Sequence, residues 1–243
     1  MTDYEQTYTE ILEGMRERIA RVRDEIDSAM VAAGRKGESI TLIGVSKFFP
    51  PEYARAAFTL GIADLGENRV QELLDKEQLL ASEGLHPAWH LIGTLQTRKA
   101  RQIIGKTALI HSVDSLELLE EIERRSLSAG IITEILLQVN VSGELTKHGF
   151  SAESVREAVE SANRSSSIRL RGLMTMAPVQ QQEHDARPVF EETRRLFHDL
   201  SDNVENPLDW NCLSMGMSQD YVDAIHAGST HIRIGTAIFG PRS

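Results

Sequence analysis

A lysine closes the first apolar segment of the chain, where an amine could do chemistry. Lys47 follows the β-rich run ITLIGVS at residues 40–46. A lysine in apolar surroundings is costly unless it is paired, exposed or reactive. Desolvation lowers the pKa of the ammonium and frees the amine for Schiff-base chemistry. A lysine that extends its stem to solvent is the commoner case at such a position. We therefore hypothesise that Lys47 forms a Schiff base. The alternative is that its ammonium group lies in solvent.

Two glycine-containing segments near the C-terminus could bind a phosphate. They are SMGMS at residues 214–218 and RIGTA at residues 233–237. Small residues let backbone amides approach an anion, and Ser214, Ser218 and Thr236 add hydroxyl donors. The same residues also suit ordinary strand-to-helix turns with a serine N-cap. Because barrels often bind phosphate after strands seven and eight, two such adjacent turns favour a phosphate site.

An arginine lies inside the last predicted strand. Arg233 occupies the third position of HIRI. A buried arginine needs an acceptor, which could be a carboxylate or a ligand atom. A pyridine nitrogen held by arginine would stay largely unprotonated, and the ring would then be a weaker electron sink than one paired with aspartate.

Eight β-rich segments alternate with helical segments and must position these side chains. The predicted strands span residues 40–46, 63–65, 89–92, 108–113, 134–141, 168–174, 210–215 and 231–234, and helices are predicted to begin near residues 50, 70, 97, 115, 152, 183 and 218. This alternation predicts parallel strands with right-handed crossovers. Eight strands predict an α/β fold, a (β/α)8 TIM-type barrel with its chemistry at the carboxyl ends of the strands. A doubly wound sheet is disfavoured, since SKFFPPE after strand one has no glycine.

One more helix precedes the first strand. Apolar side chains recur there at spacings of three and four, at Tyr8, Leu12, Met15, Ile19, Val22, Ile26 and Met30. Gly34 is expected to end this helix. We predict that residues 1–37 form an N-terminal helix packed on the barrel. Residues 1–243 are then one domain, a length that suits one barrel.

Charge and cysteine content exclude several classes of function. The net charge of −10 disfavours binding of nucleic acid or anionic membranes. The single cysteine, Cys212, cannot form an intrachain disulfide and is expected to be a buried structural thiol in a reducing compartment. A signal peptide, a membrane span, a zincin motif and a dinucleotide fingerprint are not found. We expect a cytoplasmic protein without a metal.

Several motifs in order along the chain resemble one family. They are LIGVSKFFP at 42–50, GENRVQEL at 66–73, WHLIGTLQTRKA at 89–100 and LSMGMSQDYVDAIHAGSTHIRIGTAIFGPR at 213–242. With these motifs the chain resembles the pyridoxal phosphate homeostasis family, whose barrel is similar to the N-terminal domain of alanine racemase. The chain departs from the family pattern at Thr94, where proline is usual, and at Arg98, where asparagine is usual.

The resemblance implies pyridoxal 5′-phosphate (PLP) as the cofactor, bound as a Schiff base. The implied cofactor-binding residues are the Schiff-base lysine Lys47, the phosphate-binding Ser214, Gly216, Gly235 and Thr236, Arg233 facing the pyridine nitrogen, and Asn68, His90 and Met174 lining the pocket. The implied role is a carrier or buffer that limits free aldehyde and passes PLP to client enzymes, without robust catalysis.

Two alternatives stay open. A racemase-like enzyme needs acid–base groups on both faces of the substrate Cα. Lys47 could serve one face, but none of Tyr4, Tyr8, Tyr53 and Tyr221 falls at a predicted strand end. The chain is also expected to lack the second domain that carries the tyrosine in alanine racemase, so we expect a monomer. A barrel for a different phosphorylated ligand would keep the phosphate segments without needing Lys47.

Overall fold

Eight parallel strands close into a barrel in chain order. The computed structural model describes residues 3–141, 148–178 and 186–241. Its strands are β1 Thr41–Val45, β2 Asp64–Glu67, β3 Ala88–Leu91, β4 Leu109–Val113, β5 Thr133–Gln138, β6 Ile168–Met174, β7 Cys212–Met217 and β8 His231–Ile234. Closure comes from β1 and β8, where Leu42 lies opposite Ile232 and Gly44 opposite Ile234. The predicted (β/α)8 barrel is confirmed.

Helices connect the strands around the outside of the barrel. They are α1 Asp3–Ala32, α2 Pro51–Thr59, α3 Val70–Ser82, α4 Ala100–Ile103, α5 Leu116–Ala129, α6 Ser154–Asn163, α7 Arg187–Leu200, α8 Tyr221–His226 and α9 Thr236–Phe239, with 3-10 turns at Thr97–Lys99 and Ser201–Asn203. α5 shows why its sequence forms a helix. The Ser115 hydroxyl accepts the Leu118 N–H at its start, and Gly130 adopts φ 65° at its end.

The extra helix α1 lies against α2, α8 and α9. Its apolar stripe is buried, with Met15, Ile19 and Val22 almost inaccessible to solvent. The Arg18 guanidinium donates to the carbonyl of Ile238 at 2.6 Å. The apolar spacing of α1 therefore matches the face that it buries.

Some predicted boundaries differ from the structure for local reasons. β5 ends at Gln138 and not at residue 141, and the chain beyond it pairs with Phe150 through an isolated bridge at Val139. β7 begins two residues after the predicted start, since Trp210 instead stacks on Phe197 of α7 with ring centres 4.8 Å apart. A helix was predicted to begin near residue 183, a position that lies outside the described residues.

Two further sequence expectations concern burial and membranes. The Cys212 thiol is buried 3.1 Å from Nδ1 of His231, and burial raises its pKa to about 12. The thiol is thus protonated at neutral pH, as a structural cysteine would be. In the described residues, the helices are too short or too polar to cross a bilayer.

Candidate functional site

Lys47 lies just beyond the carboxyl end of β1, in a tight turn. The Ser46 N–H donates to the carbonyl of Gly66 at 3.2 Å, and the Phe49 N–H donates back to the carbonyl of Ser46 at 3.0 Å. Phe48 has φ 67°, in the left-handed region that is costly for a residue with a Cβ. Lys47 itself is half-buried. The structure thus places the lysine at the barrel rim on a constrained backbone.

The two glycine-containing segments span the carboxyl ends of β7 and β8 and contact each other. Gly216 has φ 96°, and a Cβ there would lie 2.7 Å from the Cβ of Ala224, so only glycine fits. The Ser218 hydroxyl accepts the backbone N–H of Gly235 at 3.1 Å and that of Ala237 at 3.4 Å. Two amides directed at one oxygen form the kind of concavity that binds an anion.

The turn after β8 also adjoins the strand that carries the lysine. A Cβ built on Gly235 would have the carbonyl oxygen of Val45 as its nearest neighbour, at 3.6 Å. The backbone of Gly235 is therefore open to an approaching group. Since Val45 is two residues before Lys47, Lys47 and the amide pair lie at neighbouring strand ends of one rim.

A series of hydrogen-bonded polar side chains crosses the barrel interior. Nε2 of His90 lies 2.9 Å from Oδ1 of Asp64, and its Nδ1 lies 2.9 Å from Nε2 of His111. Nδ1 of His111 lies 2.9 Å from the Ser214 hydroxyl. That hydroxyl in turn accepts from the Arg233 guanidinium at 2.6 Å. The series joins β2, β3, β4, β7 and β8.

The two ends of this series of hydrogen bonds have a fixed direction. Arg233 can only donate, so the Ser214 hydroxyl accepts from it. At the other end the Asp64 carboxylate accepts from Nε2 of His90. The direction of the two bonds between them, which join His90 to His111 and His111 to Ser214, depends on the tautomers of the two rings. Burial, together with the charges of His90 and Arg233, holds the pKa of His111 well below its ordinary value.

Arg233 brings a positive charge into this interior. Its second nitrogen donates to the carbonyl of Thr175 at 2.8 Å. The acceptors of its two described hydrogen bonds are thus a hydroxyl and a carbonyl oxygen. Burial lowers the pKa of Arg233 to about 10, so it stays charged at neutral pH.

Other predicted site residues lie at differing depths. The backbone of Asn68 contacts the loop after β3 so closely that a Cβ on Gly93 would lie 2.3 Å from its carbonyl oxygen. Thr236 is exposed at the rim. Met174 is enclosed in the barrel with Leu109, Leu136 and Cys212. The Ser214 hydroxyl contacts His111 and Arg233 in the barrel interior. The Ser218 hydroxyl instead accepts from the backbone amides of the turn after β8.

Asp64, His111 and Thr175 were missed as members of the site. Leu109 and His111 lie two residues apart in β4, and both are buried in the barrel. This inward period of two is a signal that could have indicated His111. No comparable sequence pattern indicates Asp64 or Thr175, because the residues that they hydrogen-bond belong to other strands, far away in the sequence.

A cleft of about 690 Å³ lies at the opposite end of the barrel, between α1 and the start of β2. Its arginines are engaged with backbone carbonyls: Arg23 with Gly61, and Arg35 with Ile225 and Ser229. These contacts tie α1 to the barrel. The cleft therefore offers a weaker anion site than the rim.

Comparisons with known proteins agree with this architecture. Residues 29–243 match the family model for the alanine racemase N-terminal domain. The pyridoxal phosphate homeostasis protein of Aquifex aeolicus is 41% identical over 226 residues, which cover 93% of this chain and 97% of that protein. The chain belongs to the family of pyridoxal phosphate homeostasis proteins.

Solved structures show the same fold. PipY of Synechococcus elongatus PCC7942, determined with PLP bound, has a TM-score of 0.80 and 33% identity over 93% of this chain and all of that one. An alanine racemase of Clostridium difficile 630 has a TM-score of 0.69 at 18% identity, over 90% of this chain and 57% of that one. The second likeness concerns the fold alone.

Proposed function

We propose that this protein binds pyridoxal 5′-phosphate at the carboxyl-terminal rim of its barrel. The observation that carries the proposal is that Lys47 follows β1, while the paired amides of Gly235 and Ala237 follow β8, the strand that pairs with β1. An aldehyde that also bears a phosphate needs an amine and an anion-binding turn within one molecule's reach. The PLP found in the related PipY structure supports the same ligand.

The residues present fit each part of this cofactor. The Lys47 amine would hold the cofactor as a Schiff base, formed with its aldehyde by loss of water and without any redox step. The phosphate would bind at Gly216, Ser218, Gly235 and Thr236, with Ser214 below them. The bound cofactor would supply an electron-withdrawing ring.

Deeper residues would hold the ring side of the cofactor. Arg233 would donate to the pyridine nitrogen, and its hydrogen bonds to Ser214 and Thr175 keep the guanidinium in place. Asn68 borders the site at the rim, whereas His90 and Met174 support it from the barrel interior. A nitrogen that only accepts stays unprotonated, which weakens the ring as an electron sink.

We infer a role as carrier or buffer of PLP with little catalytic turnover. The names of the curated relatives support this role. Of the tyrosines, Tyr221 is engaged elsewhere, because its hydroxyl donates to Glu25 of α1. The buried, protonated Cys212 is consistent with the cytoplasm, where client enzymes would receive the cofactor.

Borohydride reduction followed by peptide mass mapping tests this proposal. Reduction of the PLP-loaded protein should fix the cofactor to the peptide that contains Lys47. Amino-acid racemisation by the same loaded protein should stay near the rate of free PLP. A reduced adduct on another lysine would overturn the assignment of Lys47, and sustained racemisation would replace the carrier role by an enzymatic one.

A further inference from the structure

Helix α3 holds the backbone on both sides of Lys47. Nζ of Lys76 donates at 2.8 Å to the carbonyl of Ser46, which belongs to the peptide group that precedes Lys47. The N–H of Phe48, in the peptide group that follows, donates at 3.1 Å to Oε2 of Glu72. Two side chains one helical turn apart therefore fix both peptide groups that flank the Cα of the lysine.

The Glu72 contact stabilises a conformation that Phe48 does not adopt without cost. Its φ of 67° is the one positive φ at a non-glycine residue within the described parts of the chain. Arg69, which is ion-paired with Glu72 at 3.3 Å, lies 5.1 Å from the centre of the Phe48 ring. Strained residues persist where several contacts hold them together, and they concentrate at functional sites.

The Lys76 contact rests on a buried group of charges. Lys76 is ion-paired with Glu67, which is fully buried, and the Ser46 hydroxyl donates to the same carboxylate at 2.6 Å. An ammonium taken out of water in this way cannot move freely, because it would leave a buried carboxylate unpaired. The carbonyl of Ser46 is thereby held in one orientation.

We propose that Glu72 and Lys76 are positioning residues, which aim the Lys47 amine by fixing its two flanking peptide groups. This inference rests on the proposed function, in which Lys47 is the residue that condenses with PLP. A purely structural role is the alternative, since Glu72 lies in the first turn of α3, where a carboxylate also stabilises the helix N-terminus.

Variants of Glu72 separate the two roles. Glu72→Ala removes the acceptor, Glu72→Asp keeps the charge but withdraws it from the Phe48 N–H, and Glu72→Gln keeps an acceptor oxygen without the charge. Glu77→Ala is the matched control, because Glu77 lies in the same helix, is 24% exposed against 26% for Glu72, and pairs with Lys106. The probes are amide exchange of Phe48 in cofactor-free protein and the rate of covalent adduct formation with added PLP.

We expect Glu72→Ala and Glu72→Asp to speed exchange of the Phe48 amide and to slow adduct formation by about tenfold or more. Glu72→Gln should restore both, and Glu77→Ala should change neither. If Glu72→Ala does not fold, Glu72→Asp decides the outcome. Adduct formation at the wild-type rate in the Asp variant, or equal slowing in the Glu77 control, would overturn the positioning role alone. Failure of the wild type to form an adduct would overturn the proposed function as well.

Discussion

Removal of the Lys76 ammonium should destabilise the protein strongly. Lys76→Met keeps most of the side-chain volume but leaves Glu67 with the Ser46 hydroxyl as its described partner. Oε2 of Glu67 is already buried without a hydrogen-bond partner among the described residues. Breaking a buried ion pair on one side costs about 3–5 kcal/mol, since the remaining charge is uncompensated. For a chain of this length, that corresponds to a fall in Tm of roughly 6–20 °C.

The effect should depend on pH in a defined direction. Burial raises the pKa of Glu67 above its ordinary value of 4.5, although Lys76 opposes the shift. A carboxyl group whose pKa is higher in the folded than in the unfolded protein lowers the free energy of unfolding as pH rises through its folded pKa. Below its unfolded pKa this loss of stability is absent. The loss of stability caused by Lys76→Met should therefore become smaller as pH falls from neutral towards 4.5.

Urea unfolding of the cofactor-free protein measures both effects. Lys106→Met is the control, because it breaks the Lys106–Glu77 pair, in which the lysine side chain is 48% exposed. Such an exposed pair contributes about 0–1 kcal/mol. The double variant Glu67→Gln/Lys76→Met should recover most of the lost stability, since neither charge remains. A loss in Lys76→Met no larger than that in Lys106→Met, or no recovery in the double variant, would refute this reasoning.

Three other substitutions or labels test separate parts of the site. Ser214→Ala leaves Arg233 without one acceptor, and we expect urea unfolding to show a loss of about 1–3 kcal/mol together with weaker PLP binding. Gly216→Ala places a Cβ against Ala224 at a residue with left-handed backbone, so it should lower Tm and reduce PLP affinity in a fluorescence titration. Unchanged Tm and affinity would show that the site does not require glycine at this position. The Cys212 thiol, whose pKa is about 12, should not react with a disulfide reagent at pH 8 until the protein unfolds; rapid labelling of the folded protein would contradict its burial.

The outline of the barrel followed from local sequence patterns. β6 and β8 have the predicted bounds, because apolar and basic residues alternate in IRLR and HIRI. The position of Lys47 at the end of β1 followed from the apolar run that precedes it. β7 was misplaced at its start because the apolar Trp210 reads as a strand residue, whereas it packs on α7 through its ring.

The polar interior could not be predicted in the same way. His111 and Ser214 are 103 residues apart in sequence, and their hydrogen bond depends on the curvature of the whole barrel. Lys76 lies in an amphipathic helix, where a charged residue usually faces solvent. Its burial follows from Glu67 and Ser46 on other elements, which no local pattern shows.

The most direct test of the account is a near-visible absorbance spectrum of the protein with added PLP, compared among the wild type, Lys47→Ala and the control Lys99→Ala. The account predicts the band of a lysine-bound cofactor in the wild type and in Lys99→Ala, and its absence in Lys47→Ala. A wild type without the band, or a band of equal intensity in Lys47→Ala, would contradict the assignment of Lys47 as the residue that binds the cofactor.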